Sequence, residues 1–444
     1  MNRDAVVELL EHRQFEALRR SLAEMNAVDV ARLLEAMPPE EAAVAFRLLP
    51  KGLAVQVFEQ LEPEQQHRLL EAFTAEGARD LIEAMSPDDR AALLDEVPAM
   101  VARRLLQLLS PEQRQATLAL LGYEEDTAGR IMTPYFVDLR KDMTVAQALE
   151  RIRRLAMDRE TIYYAYVIDD ERRLRGTVSL KDLVLARPDA KVGGIMTPNP
   201  KAVSTHTDQE EVGHVLRDYD LLAVPVVDAE GRLVGIVTWD DVVDIMEEEA
   251  TEDIYRYGAV PVTERGYFTT NVPSVVRRRA PWLFLLILVN FVTGSIIAAQ
   301  EALLAEVVIL AAFIPLLIDT GGNVGAQSST VVIRGLATGE ISMRRAALIV
   351  AREVGIGMLL GLVLGVAVVG MAYVLGRDLR VSLVVGTTLV AITTMAAMTG
   401  AALPFIFRLF RVDPAMVSAP FITTVMDIFG VVLYFFVAHM LLPL

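Results

Sequence analysis

Between Pro281 and Leu441 the chain carries five long apolar stretches, at about 281–299, 303–320, 345–375, 381–408 and 415–441. Each is long enough to cross a bilayer. Hydrocarbon offers no water to pair a backbone N–H or C=O, so such stretches are expected as membrane helices. Charge divides at the same place. From Pro281 onward there are eight Arg, no Lys and eight acidic residues, so the first 280 residues hold the other 34 basic and 50 acidic ones and the whole net charge of −16. An acidic cytosolic half argues against nucleic acid, which selects a basic face. It suits a partner that is itself a cation. With no cysteine, disulfides and thiolate metal sites are excluded.

Arg277, Arg278 and Arg279 precede the first stretch, and Arg334, Arg344, Arg345, Arg408 and Arg411 fall in alternate connections. The positive-inside rule then places five spans in a cell membrane, with the N-terminus in the cytoplasm. The opening MNRDAVVELLEHRQFEALRR has the charge of an amphipathic helix and not of a signal peptide.

Asp427 stands in the middle of the last stretch. At 1.5 Å per residue it lies roughly 18 Å into the run, near the middle of a ~30 Å hydrocarbon core. A carboxylate at that depth faces a bundle interior or a watery path. It is either hydrogen-bonded to a neighbouring helix or part of a cation pathway, and the second reading is favoured. Thr423 and Thr424 stand one turn before it. The second stretch ends in Pro315-Leu-Leu-Ile-Asp-Thr-Gly-Gly-Asn-Val-Gly-Ala-Gln327. Its glycines are expected to let the backbone leave helical geometry and expose carbonyls. Asp319, Gly322 and Asn323 would then offer the oxygen ligands that hard cations take. A packing kink is the alternative. In the third stretch Gly357, Gly361 and Gly365 form a double GxxxG pattern for close helix packing. Arg352 and Glu353 are expected as an internal pair.

The first 125 residues carry a repeat. Pro39, Pro63, Pro87 and Pro111 recur every 24 residues, each followed by Asp or Glu, which is a helix-start signal. Ser86 and Ser110 are expected caps, and second short helices are expected at Gly52–Gln60 and Pro98–Leu109. A stack of helix pairs follows, serving as a binding surface or as a spacer.

A second repeat spans about 129–248. Ile-Met-Thr-Pro occurs at Ile131–Pro134 and at Ile195–Pro198, and each copy leads through a helix into a strand pair. This tandem resembles a pair of CBS (cystathionine-β-synthase) modules. Ser179 and Thr238 precede helix starts, where phosphate is favoured. Asp182 and Asp241, three residues on, are placed to meet ribose hydroxyls. Helix capping accounts for each site equally well. A helix from Trp239 to about Tyr257 carries Asp240, Asp241, Asp244, Glu247, Glu248, Glu249, Glu252 and Asp253; such a run is either a solvated face or an ion-binding one.

Pro315…Gly-Gly-Asn-Val-Gly-Ala-Gln327, with Asp413-Pro-Ala…Ser418…Pro420…Thr423-Thr424…Asp427…Gly430, resembles the MgtE family of magnesium channels. The order of segments is similar throughout. It comprises an all-α helical-repeat domain (1–125), an α/β tandem of CBS modules (126–189 and 190–248), an acidic connecting helix and linker (249–280), and a five-helix transmembrane domain (281–444). The resemblance implies a homodimer with its pore on the two-fold axis, Asp427 in the ion site, and Asn323 and Thr423 beside it; Asp319 and Gly322 remain metal candidates on the reading of the residues alone. It also implies gating in which cytosolic Mg2+ bound between acidic domains closes the pore. Asp88, Asp89, Asp95 and Glu96, together with the Asp240–Asp253 run, carry the required charge. ATP at the CBS cleft is a candidate ligand. An ion-coupled secondary transporter for divalent cations such as Co2+ or Mn2+ is the alternative, weakened by the lack of an inverted repeat. A midplane carboxylate has the wrong sign for an anion channel. No Walker-type Gly-Lys-Ser/Thr or His-Glu-x-x-His motif is present to indicate an enzyme.

Overall fold

The computed structural model describes residues 3–12, 14–61, 63–156, 159–261, 271–417 and 419–442. Ser418 and the side chain of Glu96 lie outside the described residues. The chain divides into two units, Met1–Glu249 and Ala250–Leu444.

The first unit opens with short helices α1 (Arg3–Glu11), α2 (Phe15–Ala23), α3 (Ala27–Glu35), α4 (Pro39–Arg47), α5 (Lys51–Glu59), α6 (Pro63–Ala72), α7 (Ala75–Ala84), α8 (Pro87–Glu96), α9 (Ala99–Leu108) and α10 (Pro111–Leu121). The proline repeat is the helix-pair repeat: Pro39, Pro63, Pro87 and Pro111 open α4, α6, α8 and α10. Proline suits this position because its missing N–H would be unpaired there anyway. Ser86 caps α8, accepting from the Asp89 N–H at 3.2 Å. Ser110 departs from expectation. Its side chain makes no cap bond, and its own N–H donates to Glu83 Oε1 at 2.8 Å. Leu18, Leu34, Phe46, Phe58, Ile82 and Leu105 belong to one continuous core along the stack, as expected where each repeat buries its apolar face only on its neighbours.

The tandem follows as α11 (Ala128–Ile131), β1 (Val137–Leu139), α12 (Val145–Leu155), β2 (Tyr164–Ile168), β3 (Leu174–Ser179), α13 (Leu180–Leu185), α14 (Val192–Ile195), β4 (Thr197–Pro198), β5 (Val203–Ser204), α15 (Gln209–Asp218), β6 (Ala223–Val227) and β7 (Leu233–Thr238). The sheets have orders β1-β2-β3-β4 and β5-β6-β7. In each, the first pair is parallel and the second antiparallel. The repeated Ile-Met-Thr-Pro segments cross over. Met132 of the first copy packs on Gly235 in the second module, and Met196 of the second copy packs on Gly176 in the first. A Cβ on Gly235 or Gly176 would sit 2.6 or 2.7 Å from the methionine sulfur, so glycine is required where the thioether lies flat on the strand.

Helix α16 (Trp239–Tyr257) is continuous. The second unit continues with α17 (Val272–Ala298), α18 (Glu301–Glu306), α19 (Leu310–Ala337), α20 (Ala346–Gly376), α21 (Leu379–Leu409) and α22 (Ala419–Leu441). Helix α17 therefore starts before the expected boundary at 281, with Pro273 in its first turn and Pro281 inside it. Among the described residues four helices, α17, α20, α21 and α22, are long and apolar enough to cross a membrane. Helix α19 has 28 residues but carries Asp319, Asn323 and Gln327.

The expectation that the glycines of the second stretch break the helix is wrong: α19 runs unbroken through Gly321, Gly322 and Gly325. The glycines serve close packing instead. A Cβ on Gly322 would lie 2.9 Å from Thr423 Cγ2, and one on Gly321 2.6 Å from Ile392. A Cβ on Gly400 of α21 would lie 2.1 Å from the Gly325 carbonyl oxygen. Gly357 and Gly361 of α20 lie similarly against Thr393 and Val390 of α21, as the double GxxxG pattern requires. Arg352 and Glu353 do not share a face: the first is exposed and the second buried.

Candidate functional site

The candidate ion site is built on α19 and α22. Their close approach comes from Gly322 meeting Thr423 and Gly325 meeting Ile422. The Tyr434 hydroxyl, donating at 3.0 Å to the Leu310 carbonyl, ties the far part of α22 to the start of α19. Asp427 is half-buried, and its carboxylate is close enough to Asp319 for the two charges to interact. Asn323 Nδ2 donates to Asp319 Oδ2 at 3.2 Å, one turn away. The hydroxyls of Thr423 and Thr424 bond back to the Pro420 carbonyl at 3.0 and 2.8 Å. Their oxygens keep lone pairs for a further donor. Gly322 is buried inside the helix pair.

Asp319 and Asn323 begin a longer pattern. Asp319, Asn323, Gln327, Thr330 and Arg334 are exposed at intervals of three or four residues along α19, while Gly321, Gly322, Val324, Gly325 and Ser328 on other sides are buried. Such spacing puts the polar groups on one face. Gln327 and Thr330 were not singled out from the sequence, although the three-to-four-residue spacing after Asp319 was there to be read.

A second constellation lies within the first unit, where Asp88 and Asp89 in the first turn of α8 meet the first turn of α16. Arg90 anchors that end of α8. Its guanidinium, 1% exposed, donates to the carbonyls of Ile82 and Met85 at 2.6 Å and to Gln113 Oε1 and Thr117 Oγ1 at 3.0 Å. Its donors go to these groups, so it acts on Asp88 and Asp89 through its charge, with no hydrogen bond to either among the described residues. Burial, then Asp89 and Glu160, push the Asp88 carboxyl up to about 7. Burial and Asp88 push Asp241 to about 8, against the Thr238 hydroxyl, which donates to Asp241 Oδ2. Burial and then Asp89, Glu160 and Asp88 push Glu59 to about 8. Burial, then Asp241, push Glu160 to about 7. Asp89 is raised by burial and by Asp240 and Asp244, opposed by its bond from Ser86. Asp244 is raised by burial, Glu247 and Asp240. Asp88 Oδ1 is buried with no hydrogen-bond partner.

The other acidic candidates lie elsewhere. Asp95 accepts from Nε and Nη2 of Arg130, at 2.6 to 2.9 Å. Glu249 accepts from Gln209 Nε2 at 2.6 Å, and Glu248 is exposed. In the second unit Glu252 pairs with Arg256, and burial raises Asp253 beside Asp413. Glu59 and Glu160 were missed from sequence: one ends a helix, the other sits in an irregular segment, and only folding brings them to Asp88.

The nucleotide candidates occupy equivalent places. Ser179 Oγ donates to Asp182 Oδ2 at 2.6 Å and accepts from the Asp182 N–H at 3.0 Å. Thr238 and Asp241 repeat that side-chain bond. Asp182 is exposed, whereas Asp241 belongs to the carboxylate cluster.

Residues 314–437 match the MgtE family, described as a divalent cation transporter; residues 25–126 match the MgtE intracellular N domain, and 128–189 and 192–248 each match the CBS domain. The chain is 44% identical over 438 residues to the magnesium transporter MgtE of Thermus thermophilus, covering 98% of this chain and 97% of that protein. It is 38% identical over 323 residues to the magnesium transporter MgtE of Enterococcus faecalis, covering 72% and 70%. Among solved structures, the cytosolic domain of the Mg2+ channel MgtE in complex with ATP is similar at 43% identity and a TM-score of 0.53, covering 55% of this chain and 99% of that one. The chain belongs to the MgtE family of divalent cation transporters.

Proposed function

We propose that this chain is a Mg2+ channel of the cell membrane, acting as a homodimer with its N-terminal half in the cytoplasm and with no nucleic-acid partner. The observation that carries this reading is the polar face of α19, from Asp319 through Asn323 and Gln327 to Thr330, exposed on a single chain. Lipid tolerates such a face poorly. A second copy across a water-filled axis removes the conflict and makes α17, α19, α20, α21 and α22 the five spans. Paired Asp427 and Asp319 carboxylates would then face a divalent ion. Mg2+ gives up its water reluctantly, so a hydrated ion held by charge and by amide and hydroxyl groups fits this donor set. The magnesium-transporter names of the relatives support the same ion. The role is transport and not catalysis.

Closure by cytosolic Mg2+ is the second part of the reading. Asp88, Asp89, Glu59, Glu160, Asp240, Asp241 and Asp244 are oxygen donors only, crowded by like charge, and Asp88 Oδ1 has no partner. These features fit a hard divalent cation. Among the described residues no three carboxylates already close round one point, so these side chains would hold an ion partly through water. Bound Mg2+ supplies the positive charge that offsets their repulsion. Asp95, Glu248, Glu249, Glu252 and Asp253 extend the acidic surface. ATP is proposed as a regulator at the CBS cleft, supported by the ATP complex of the related cytosolic domain. Ser179, Asp182 and Thr238 are its candidate contacts, and Asp241 serves the acidic cluster.

Reconstitution into liposomes tests the proposal. Mg2+ influx should follow the membrane potential and the Mg2+ gradient alone. Influx that requires an opposing proton or Na+ gradient, or that prefers Co2+ or Mn2+ to Mg2+, contradicts it in favour of coupled transport.

A further inference from the structure

Helices α6, α8 and α10 of the stack begin alike, and one of them reaches out of it. The residue three places after the opening proline donates to a carbonyl eight residues back: Gln66 Nε2 to Phe58 at 2.8 Å, Arg90 Nε to Ile82 at 2.6 Å and Arg114 Nε to Leu106 at 2.7 Å. Among the described residues Arg114 bonds only backbone carbonyls, adding those of Gln107 and Leu109 at 3.0 Å. Arg90 goes further, with Nη1 donating at 3.0 Å to the side chains of Gln113 and Thr117 on α10. Gln113 Oε1 also accepts from the hydroxyl of Tyr135, at 3.1 Å, and Tyr135 belongs to the tandem. Around Tyr135 the sources of the carboxylate cluster meet. The Glu160 N–H donates to the Tyr135 carbonyl at 3.0 Å, and Thr133 exchanges both backbone hydrogen bonds with Ile236 at 2.8 and 2.9 Å. Ile236 lies on β7, which runs into the first turn of α16 with Asp240, Asp241 and Asp244. On the other side Arg90 holds the turn of α8 that carries Asp88 and Asp89.

We propose that Gln113 and Tyr135 are positioning residues for the carboxylate cluster. With Arg90 they form a strut, made without any ion, that fixes α8 against Glu160 and the start of α16 and so sets the Mg2+ concentration to which the cluster responds. The inference rests on reading that cluster as a Mg2+ site. Carboxylates crowded by like charge push α8 and α16 apart. Part of the binding free energy of an ion arriving at separated groups goes into drawing them together. A neutral hydroxyl–amide bond, backed by a buried guanidinium, holds the two sides in register without adding negative charge. The ion then meets a larger fraction of binding-competent chain and binds at a lower concentration. One such bond is of ordinary strength, so it tunes the response and does not replace the ion. Arg114, which makes the same backbone bonds without the branch to side chains, shows that capping the preceding helix does not require that branch.

Tyr135→Phe in the full-length protein removes the hydroxyl and keeps the ring, over which the Arg159 guanidinium lies 5.8 Å from the centroid. Gln113→Met removes the shared acceptor. Amide hydrogen exchange over residues 131–136, followed as Mg2+ is titrated, reads the cluster without any current, and patch recordings read closure. In both variants the Mg2+ midpoint should rise about fivefold if one ion closes the cluster and about twofold if two do, the ratio for loss of one neutral hydrogen bond. Combining Tyr135→Phe with Gln113→Met should shift the midpoint no further than Gln113→Met alone, because the two changes break one strut. Gln66→Met, which removes the equivalent bond to Phe58 elsewhere in the stack, should lower the melting temperature and leave the Mg2+ midpoint at its wild-type value. Wild-type midpoints in Tyr135→Phe and Gln113→Met, in a protein whose exchange responds to Mg2+, overturn the strut alone. Additive shifts in the double variant do the same, as does an equal shift in Gln66→Met, which would mark a general loss of stability. Exchange and current that ignore Mg2+ in the wild type overturn the Mg2+ reading of the cluster, and the strut with it.

Discussion

The amide of Asn323 donates to the carboxylate of Asp319 at 3.2 Å, one helical turn away on the exposed face of α19. That bond keeps the carboxylate turned along the polar face and within electrostatic reach of Asp427. Replacing Asn323 by Leu keeps the helix and the approximate side-chain volume but removes this donor. Mg2+ flux should fall about tenfold, the scale of one charge-assisted hydrogen bond, while expression and elution on size exclusion stay unchanged. Asp319→Asn should lower flux as well, since it halves the charge facing the ion. Flux equal to wild type in both variants removes this pair from the pathway.

Helix packing in the second unit depends on one backbone crossing. A Cβ on Gly400 would meet the Gly325 carbonyl oxygen at 2.1 Å, whereas a Cβ on Gly294 meets nothing within 4 Å. Gly400→Ala should destabilise the folded protein by about 1–3 kcal/mol, the usual cost of overpacking. Gly294→Ala should be neutral or slightly stabilising, because alanine favours helix. Thermal melting in detergent distinguishes them; equal melting temperatures contradict the crossing.

The carboxylate cluster makes stability depend on pH in an uncommon direction. Asp88, Asp241, Glu59 and Glu160 titrate near 4 to 4.5 when free and at about 7 to 8 in the folded chain. The folded state therefore holds extra protons between those values and loses stability as pH rises from about 4 to about 8. Melting temperature without divalent ions should fall across that window, and added Mg2+ should restore more at pH 8 than at pH 6. Asp88→Asn should flatten the fall and shrink the Mg2+ effect. A melting temperature that rises with pH in EDTA contradicts the clustering.

Much of this organisation was legible because it is local. Proline at a helix start needs no partner, so the 24-residue spacing read directly as α4, α6, α8 and α10. The repeated Ile-Met-Thr-Pro marked two modules, but not that Met132 and Met196 each pack in the other one. Asp427 stood out because nothing apolar surrounds a charge cheaply. The glycines of α19 were misread as a break, since their purpose lies on other helices, in Thr423, Ile392 and Gly400. Glu59 and Glu160 join Asp88, and Tyr135 reaches Gln113, only through tertiary folding. No pattern in their own neighbourhoods announces those meetings.

The central claim is that Asp427 faces the transported ion. Mg2+ uptake into proteoliposomes, compared between wild type and Asp427→Asn at equal reconstituted protein, tests it most directly. Asparagine keeps the size and the hydrogen-bonding oxygen and removes only the charge, so an ion held by that charge should be lost and uptake should fall at least about a hundredfold, as expected when a buried charged contact worth about 3 kcal/mol disappears. Uptake in Asp427→Asn within about twofold of wild type, with the protein eluting as wild type does, contradicts the account.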